Sequence, residues 1–205
     1  MKGLPKKLVL ASGNPGKLRE LRALLAPLAI EVVPQEEFGI AEAEEPHHTF
    51  LENALAKARH ASAATGLAAL ADDSGLCVDS LRGEPGVHSA YYAGTAGERE
   101  ERDARNNAKL LAALTGRSTR SAHYSCVMVL VRRADDPEPV VAEGRWRGSI
   151  ATEPRGEGGF GYDSLFVVAD GTRTAAELAA AEKNRASHRA MALGRLLERL
   201  REESA

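Results

Sequence analysis

The residues best suited to chemistry in this sequence stand in three short stretches. Ser12 to Lys17 joins a glycine turn to a lysine, Ala71 to Gly75 contains two adjacent carboxylates, and Gly158 to Asp163 places aromatic rings among glycines. A glycine turn with a lysine suits phosphate, paired carboxylates suit a metal ion or a proton acceptor, and an aromatic face suits a nucleobase. Together the three stretches predict a site that cleaves a triphosphate.

The first stretch predicts an anion site where a strand meets a helix. Asn14 is suited to cap the helix, and Pro15 to occupy its first position, where the missing N–H is harmless. Free N–H groups and the helix dipole then favour an anion, to which Lys17 adds a charge. The stretch is not a Walker A loop, because Gly13 and Gly16 stand too close together and no Ser or Thr follows the lysine. The alternative is an ordinary strand-to-helix turn with a solvated lysine.

The second stretch predicts a metal site or a general base. The apolar run from Leu67 to Ala71 is typical of a buried strand, which would deliver Asp72 and Asp73 at its C-terminal end, followed by Ser74. Two carboxylates there suit Mg²⁺, which prefers oxygen ligands, or a base that deprotonates water. The alternative is a solvated turn, since Asp, Ser and Gly are common in turns. A further acidic pair ends at Glu45, and taken alone it indicates a solvated loop.

The third stretch and the C-terminal region predict a place for a base. Phe160 and Tyr162 have faces on which a base can stack, worth about 1–3 kcal/mol each. The alternative for this stretch is a β-turn with a half-buried Phe. Downstream, Lys183 and the run from Ser187 to Arg189 stand at or near a helix start, where Lys and Arg can hold phosphate or base oxygens. A capped helix with surface charges is the alternative there.

The elements that must position these residues alternate between strands and helices, which predicts an α/β fold. A hairpin near Asp135 makes the predicted sheet mixed rather than wholly parallel. Capping boxes at Thr49 and Thr174 predict two helix starts. The strands are expected at 8–11, 30–33, 67–71, 121–132, 140–147 and 165–168, with helices after Asn14, after Thr49, at 98–114 and at 187–200.

Length and charge narrow the possible partners. A chain of 205 residues is long enough for one sizeable core, and we expect a single domain over residues 1–205, built as two lobes. The net charge of −2 predicts no general attraction to nucleic acid or to an anionic membrane. The start is too short in apolar residues for a signal peptide, which predicts a cytoplasmic protein. Cys77 and Cys126 are expected to be reduced core residues.

The ordered set of motifs resembles the inosine triphosphate pyrophosphatase family, whose members remove non-canonical purine nucleotides from the nucleotide pool. The likeness covers nearly the whole chain and includes Thr49 to Ala54 and Gly144 to Gly148 besides the stretches above. One departure is Ser164, where the family usually has proline. The resemblance implies an elongated mixed β-sheet flanked by helices, an active-site cleft between two lobes, a requirement for Mg²⁺ and a homodimer.

By this resemblance the residues take roles in hydrolysis of inosine, deoxyinosine and xanthosine triphosphates to the monophosphate and pyrophosphate. Asp73 is expected to be the base and a metal ligand, with Asp72 supporting it and Glu45 helping to place the metal. Lys17 is expected to serve catalysis by holding the triphosphate. The residues expected to contact substrate are Ser12, Gly13, Asn14, Pro15, Gly16, Lys17, Ser74, Phe160, Gly161, Tyr162, Asp163, Lys183, His188 and Arg189.

Three other interpretations remain open at this point. A pyrophosphatase of related fold with another base preference, such as modified pyrimidines, would carry similar motifs. A nucleotide-binding regulator without turnover is disfavoured by the intact acid pair and Lys17. A nucleic-acid-binding module is disfavoured by the balance of charge.

Overall fold

The structure is a computed structural model, and it describes residues 5–28 and 30–202. Strands and helices alternate along the chain, with short 3-10 turns in several connections. The strands are β1 (Lys7–Leu10), β2 (Glu31–Pro34), β3 (Ala69–Val78), β4 (Ser121–Val131), β5 (Val140–Ile150) and β6 (Phe166–Val168). The α-helices are α1 (Pro15–Leu25), α2 (Phe50–Thr65), α3 (Arg99–Ala113), α4 (Ala180–Ala186) and α5 (His188–Glu202).

The strands form one six-stranded sheet in the order β2-β1-β3-β4-β5-β6. β1 lies parallel to β2 and to β3, as expected for strands that are joined through helices. β6 instead pairs antiparallel with the end of β5. The predicted mixed α/β sheet is therefore confirmed.

The chain divides into two compact units. The first comprises Met1–Asp73, Cys126–Gly144 and Ser187–Ala205, and the second comprises Ser74–Ser125 and Arg145–Ala186. The predicted phosphate turn and acid pair belong to the first unit, whereas the predicted base-binding stretch belongs to the second.

The sheet of the first unit is buried on both faces, as is usual for parallel strands flanked by helices. Side chains alternate along β1, so that Leu8 and Leu10 point to one face and Val9 and Ala11 to the other. The first face packs against leucines of α1 and α5. The second face packs against Ala54, Ala58 and Ala61 of α2, whose small side chains are all fully buried.

The second unit has a core rich in aromatic rings. Phe166 packs against Tyr124 and Trp146, with ring centroids 4.7 and 5.2 Å apart. Gly148 allows the close approach of β6, because a Cβ there would stand 2.2 Å from the carbonyl oxygen of Val167. In the part of the chain that the structure describes, each helix falls short of the length and apolar character that a membrane crossing requires.

One predicted boundary is wrong in a way that matters for the site. The strand expected to end at Ala71 continues through Asp72 and Asp73 to Val78, so the two carboxylates lie inside β3 rather than at its C-terminal end. The strand continues because Leu76 and Val78 renew the buried apolar pattern beyond the acid pair. The turn formers Ser74 and Gly75 are accommodated within the strand, which overrides their local preference.

Smaller differences concern the helices. Leu51, expected to face inward on α2, is 41% exposed. The helix expected over 187–200 begins at His188 and is preceded by the short α4. The capping box at Thr174 is present, but it starts only a 3-10 turn, Ala175–Glu177. Cys126 is buried as expected, whereas Cys77 is only half-buried, and both are free thiols.

Candidate active site

The glycine turn before α1 is capped as the sequence predicts. Asn14 Oδ1 accepts hydrogen bonds from the N–H groups of Gly16 and Lys17 at 3.0 and 3.1 Å. Ser12 Oγ accepts one from the N–H of Asn14 at 3.3 Å. The cap therefore engages N–H groups that the sequence suggested were free for an anion.

A carboxylate lies at the glycine of this turn. Glu42 Oε1 accepts a hydrogen bond from the N–H of Gly13 at 2.7 Å. A Cβ on Gly13 would come within 2.3 Å of the same oxygen, so a larger residue there would make the exposed side chain of Glu42 move away. An anionic group thus already occupies a position where N–H groups and the start of a helix favour negative charge.

Lys17 is not the solvated lysine of the alternative interpretation. Its Nζ lies 3.2 Å from Asp72 Oδ2, and its side chain is only 13% exposed. The guanidinium of Arg189 reaches the same oxygen, with Nε at 3.3 Å, and its Nη1 lies 2.7 Å from Glu20 Oε2. These four side chains form a buried ion-pair network that joins β3 to α1 and α5.

The charges of this network fix the state of Asp72. Burial alone would raise the pKa of this carboxyl, but the cations of Lys17 and Arg189 outweigh burial and hold the pKa well below its usual range. Asp72 is therefore a carboxylate that is neutralised by cations. It supports Lys17 rather than acting as a proton acceptor near neutral pH.

Asp73 has a separate set of partners on α2. Lys57 Nζ donates to Asp73 Oδ1 at 3.2 Å and to Glu45 Oε1 at 2.7 Å. Asn53 Nδ2 donates to Asp73 Oδ2 at 3.2 Å. Burial raises the pKa of the Asp73 carboxyl, and Lys57 offsets this only in part. Burial also opposes the charge of Lys57, but Asp73 and Glu45 outweigh it and raise the pKa of the ammonium.

The strand itself explains why adjacent aspartates differ so much. Successive side chains of a β-strand point to opposite faces of the sheet. Asp72 therefore points, like Leu70, towards α1 and α5, while Asp73 points, like Ala71, towards α2. One carboxylate is thereby paired with Lys17 and Arg189, and the other with Lys57 and Asn53. Of the two aspartates, it is Asp73 that combines a raised pKa with a position beside Glu45, as a general base would need.

The carboxylate oxygens around Lys57 are suitable ligands for a magnesium ion. The one ammonium contacts oxygens of both Asp73 and Glu45, so these two carboxylates lie close enough to share a cation. Within residues 5–28 and 30–202, no group of three or more His, Cys, Asp or Glu side chains is arranged to hold a metal. Magnesium needs no such group, because it is usually bound by one or two carboxylates together with substrate phosphates and water.

In the second unit, the stretch from Gly158 to Asp163 forms a turn that is closed by Asp163. Oδ2 of this carboxylate accepts from the N–H of Phe160 at 2.9 Å and from Lys183 Nζ at 2.6 Å. Oδ1 accepts from the hydroxyl of Tyr124 at 3.3 Å. The Lys183 ammonium also lies 4.9 Å from the centroid of the Phe160 ring. Asp163 is therefore a buried carboxylate whose two oxygens are both hydrogen-bonded, and it fixes the shape of the turn.

The side chain of Tyr162 does not present an exposed aromatic face. It is buried, and its hydroxyl donates to the carbonyl of Ser89 at 2.9 Å. Phe160, in contrast, is only partly buried. Of the two rings singled out in the sequence, Phe160 is the one that belongs to a partly exposed residue.

The last predicted cluster lies at the start of α5. Ser187 Oγ accepts from the N–H of Ala190 at 3.3 Å, which makes it a helix cap. His188 and Arg189 are both 3% exposed, so neither lies on the surface. The expectation that they contact the base stays a prediction, as does the contact of Ser74 with substrate.

Sequence reasoning missed three residues of these networks: Asn53, Lys57 and Glu20. A signal for the first two was present. Asn53 and Lys57 stand one turn apart on α2, directly beside the alanines of its buried stripe. Their positions therefore indicate two polar side chains that face the core. Glu20 stands three residues after Lys17 on α1 and carried no signal of its own.

Comparison with known proteins gives a single answer over almost the entire chain. A model of the Ham1 family matches residues 8–199. The dITP/XTP pyrophosphatase of Ralstonia nicotianae is 61% identical over 196 residues, which cover 96% of this chain and 97% of that protein. The dITP/XTP pyrophosphatase of Nitrosomonas europaea is 60% identical over 196 residues, covering 96% and 95%.

Solved structures agree with these relatives. A HAM1 protein from Coxiella burnetii has a TM-score of 0.86 at 48% identity, over 96% of this chain and 98% of that chain. A nucleoside-triphosphatase, or dITP/XTP pyrophosphatase, from Mycobacterium abscessus has a TM-score of 0.71 at 46% identity, over 93% and 98%. The expected mixed α/β fold, a β-sheet flanked by helices, is therefore confirmed.

Proposed function

The chain belongs to the Ham1 family, and we propose that it hydrolyses non-canonical purine nucleoside triphosphates such as dITP and XTP to the monophosphate and pyrophosphate. The observation that carries this proposal is the identity of about three residues in five with dITP/XTP pyrophosphatases over nearly the full length of both chains. The two charged networks around Asp72 and Asp73 agree with it, because they supply cations for phosphate and a carboxylate that can activate water.

In this proposal, Asp73 accepts a proton from the water that attacks the α-phosphorus. The raised pKa of its carboxyl makes it a better proton acceptor than an ordinary aspartate, and Asn53 and Lys57 hold it in position. Lys17 stabilises the negative charge that develops on the phosphates. Asp72 holds Lys17 in place, and Arg189 in turn pairs with Asp72.

We further propose that Mg²⁺ is required and is held by Asp73 and Glu45. When bound, the ion would neutralise phosphate charge and orient the leaving group. When the ion is absent, Lys57 would keep the carboxylates of Asp73 and Glu45 close together, since its ammonium contacts both of them. A homodimer and a cytoplasmic location remain predictions from the sequence and the family resemblance.

For the base, we propose stacking on Phe160. Its partly accessible ring, next to the buried Asp163–Lys183 pair, supports this role. An oxygen at the 6-position of the base can accept hydrogen bonds from donors in the site, whereas the amino group of adenine at that position is itself a donor. A preference for inosine and xanthosine over adenosine is therefore expected.

The test is product analysis with a substrate panel. The purified protein is incubated with Mg²⁺ and dITP, XTP, ATP or a modified pyrimidine triphosphate, and phosphates are separated by ion chromatography. We expect pyrophosphate and monophosphate from dITP and XTP, with no transient diphosphate. Orthophosphate as the first product would refute cleavage at the α-phosphorus. Binding of dITP without any turnover would instead support the nucleotide-binding regulator.

A further inference from the structure

Three side chains of α3 contact the turn that contains Phe160. Arg99, Asp103 and Asn107 follow one another at intervals of four residues, which places them on one face of the helix. Each is partly buried, whereas Glu100, which directly follows Arg99, is exposed. No residue of α3 was singled out in the sequence, and this row has no part in the phosphate chemistry proposed above.

Two of the three side chains hold both backbone groups of a single residue, Gly161. Asp103 Oδ2 accepts from its N–H at 2.9 Å, and Asn107 Nδ2 donates to its carbonyl oxygen at 3.0 Å. Gly161 has a φ of +64°, a conformation that other residues rarely adopt. The two hydrogen bonds fix the orientation of the peptide groups on both sides of this glycine, and Phe160 is attached directly to one of them.

The third side chain, Arg99, covers the aromatic ring itself. Its guanidinium carbon lies 4.9 Å from the centroid of the Phe160 ring. Its Nε lies 3.9 Å from Asp103 Oδ2, the oxygen that accepts from Gly161. A planar cation thus lies over the ring on which a base is proposed to stack, and it is linked to the carboxylate that fixes the turn.

Asn107 holds the turn with one end of its amide group and leaves the other end without a hydrogen bond. Its Oδ1 is buried and has no hydrogen-bond partner among the described residues. Rotating the amide would satisfy nothing, because it would place this oxygen against the carbonyl oxygen of Gly161. An unmet buried acceptor is uncommon in native proteins and calls for an explanation. Holding the Gly161 carbonyl is the explanation that the geometry offers.

We propose that Asp103 and Asn107 are positioning residues that set the place of the Phe160 ring, with Arg99 covering the ring, and so determine affinity for the base of the substrate. The row is called the α3 clamp. This inference rests on the proposed function, since it assigns the clamp to the base-binding part of that same reaction. It concerns contacts within the second unit only.

The test is a separation of KM from kcat. Asp103→Ala removes the acceptor for Gly161, whereas Asp103→Asn keeps an oxygen there and serves as the conservative variant. The hydrogen bond that is lost has a charged acceptor, so we expect KM for XTP to rise about tenfold or more in Asp103→Ala. We expect kcat to change little, Asp103→Asn to recover most of the affinity, and the matched control Glu100→Ala to behave as wild type.

A second measurement separates the base from the phosphates. Calorimetric binding of inorganic tripolyphosphate and of inosine monophosphate is compared in the wild-type protein, Asp103→Ala and Asn107→Ala. We expect both variants to lose affinity for the monophosphate and to keep that for tripolyphosphate. Equal affinity for the monophosphate in all three proteins would overturn the clamp. The clamp would also be overturned if kcat of the two variants fell in proportion to their melting temperatures, because that result would indicate general destabilisation.

The two proposals fail in different ways. A wild-type protein that binds inosine triphosphate and releases no pyrophosphate refutes the proposed function, while the binding comparison still decides on the clamp. A wild-type protein that hydrolyses XTP alongside an Asp103→Ala variant with unchanged KM refutes the clamp alone. Absence of any nucleotide binding by the wild-type protein refutes both.

Discussion

At the scale of single residues, the main finding is that two neighbouring aspartates have opposite environments. Asp72 is neutralised by Lys17 and Arg189, and its pKa is lowered, while burial raises the pKa of Asp73 beside Lys57. This division follows from one property of β-strands, the alternation of side chains between faces. Adjacent carboxylates in a strand are therefore better read as two sites than as one pair.

Asp73→Asn is expected to reduce kcat by about 100-fold or more, because general-base help is worth at least that much. The exchange is nearly isosteric, so the circular dichroism spectrum should be that of the wild type. Steady-state kinetics with XTP provides the measurement, and Asp72→Asn provides the comparison. An Asp73→Asn variant with normal turnover would remove Asp73 from the chemistry.

Glu42 is expected to compete with phosphate for the glycine turn, because its carboxylate accepts from the N–H of Gly13. An anion at a helix start is stabilised by about 0.3–1 kcal/mol, so Glu42→Ala should lower the inhibition constant of pyrophosphate by about two- to fivefold. Glu44→Ala, which removes an exposed carboxylate nearby, is the control. Identical inhibition of both variants would show that Glu42 does not compete.

At the scale of secondary-structure elements, close packing of α5 on β5 depends on one glycine. A Cβ at Gly144 would stand 2.0 Å from the carbonyl oxygen of His188 and 2.6 Å from the nitrogen of Ala192. Both are backbone atoms, which cannot rotate away. This contact holds the start of α5, and with it Arg189, against the sheet of the first unit.

Gly144→Ala is therefore expected to destabilise the protein by about 1–3 kcal/mol, the usual cost of overpacking a core. Gly194, which lies in α5, is the matched control, because a Cβ there meets nothing within 4 Å. Since glycine inside a helix costs about 1 kcal/mol relative to alanine, Gly194→Ala should stabilise the protein. Urea unfolding of both variants measures the two effects, and equal free energies of unfolding would contradict the packing argument.

At the scale of the whole molecule, the aspartate networks give stability opposite dependences on pH. The lowered pKa of Asp72 contributes stability that is present above the ordinary carboxyl pKa, about 4, and is lost as the pH falls towards the lowered value. The raised pKa of Asp73 acts in the other direction, since its contribution is present at low pH and is lost as the pH rises through the raised value.

Asp72→Asn is thus expected to lower the free energy of unfolding more at about pH 7 than at about pH 3.5, and Asp73→Asn less at about pH 7 than at about pH 3.5. Removing one partner of a buried ion pair costs about 3–5 kcal/mol, which sets the size of the loss for Asp72→Asn near neutral pH. Denaturant unfolding in the presence of a chelator measures both. The same sign of pH dependence for the two variants would refute the division of the pair.

The sequence by itself determined the order of strands and helices, the caps at Asn14 and Thr49, and the motifs of the Ham1 family, because periodicity, capping chemistry and short motifs are local. Only the tertiary structure decided that β3 continues through the acid pair, that Lys17 and Arg189 meet at Asp72, and that Lys57 joins Asp73 to Glu45. It also decided that α3 holds Gly161. The reason is physical: these contacts join residues far apart in the chain, and the buried charges that they pair have no counterpart in any local pattern of the sequence.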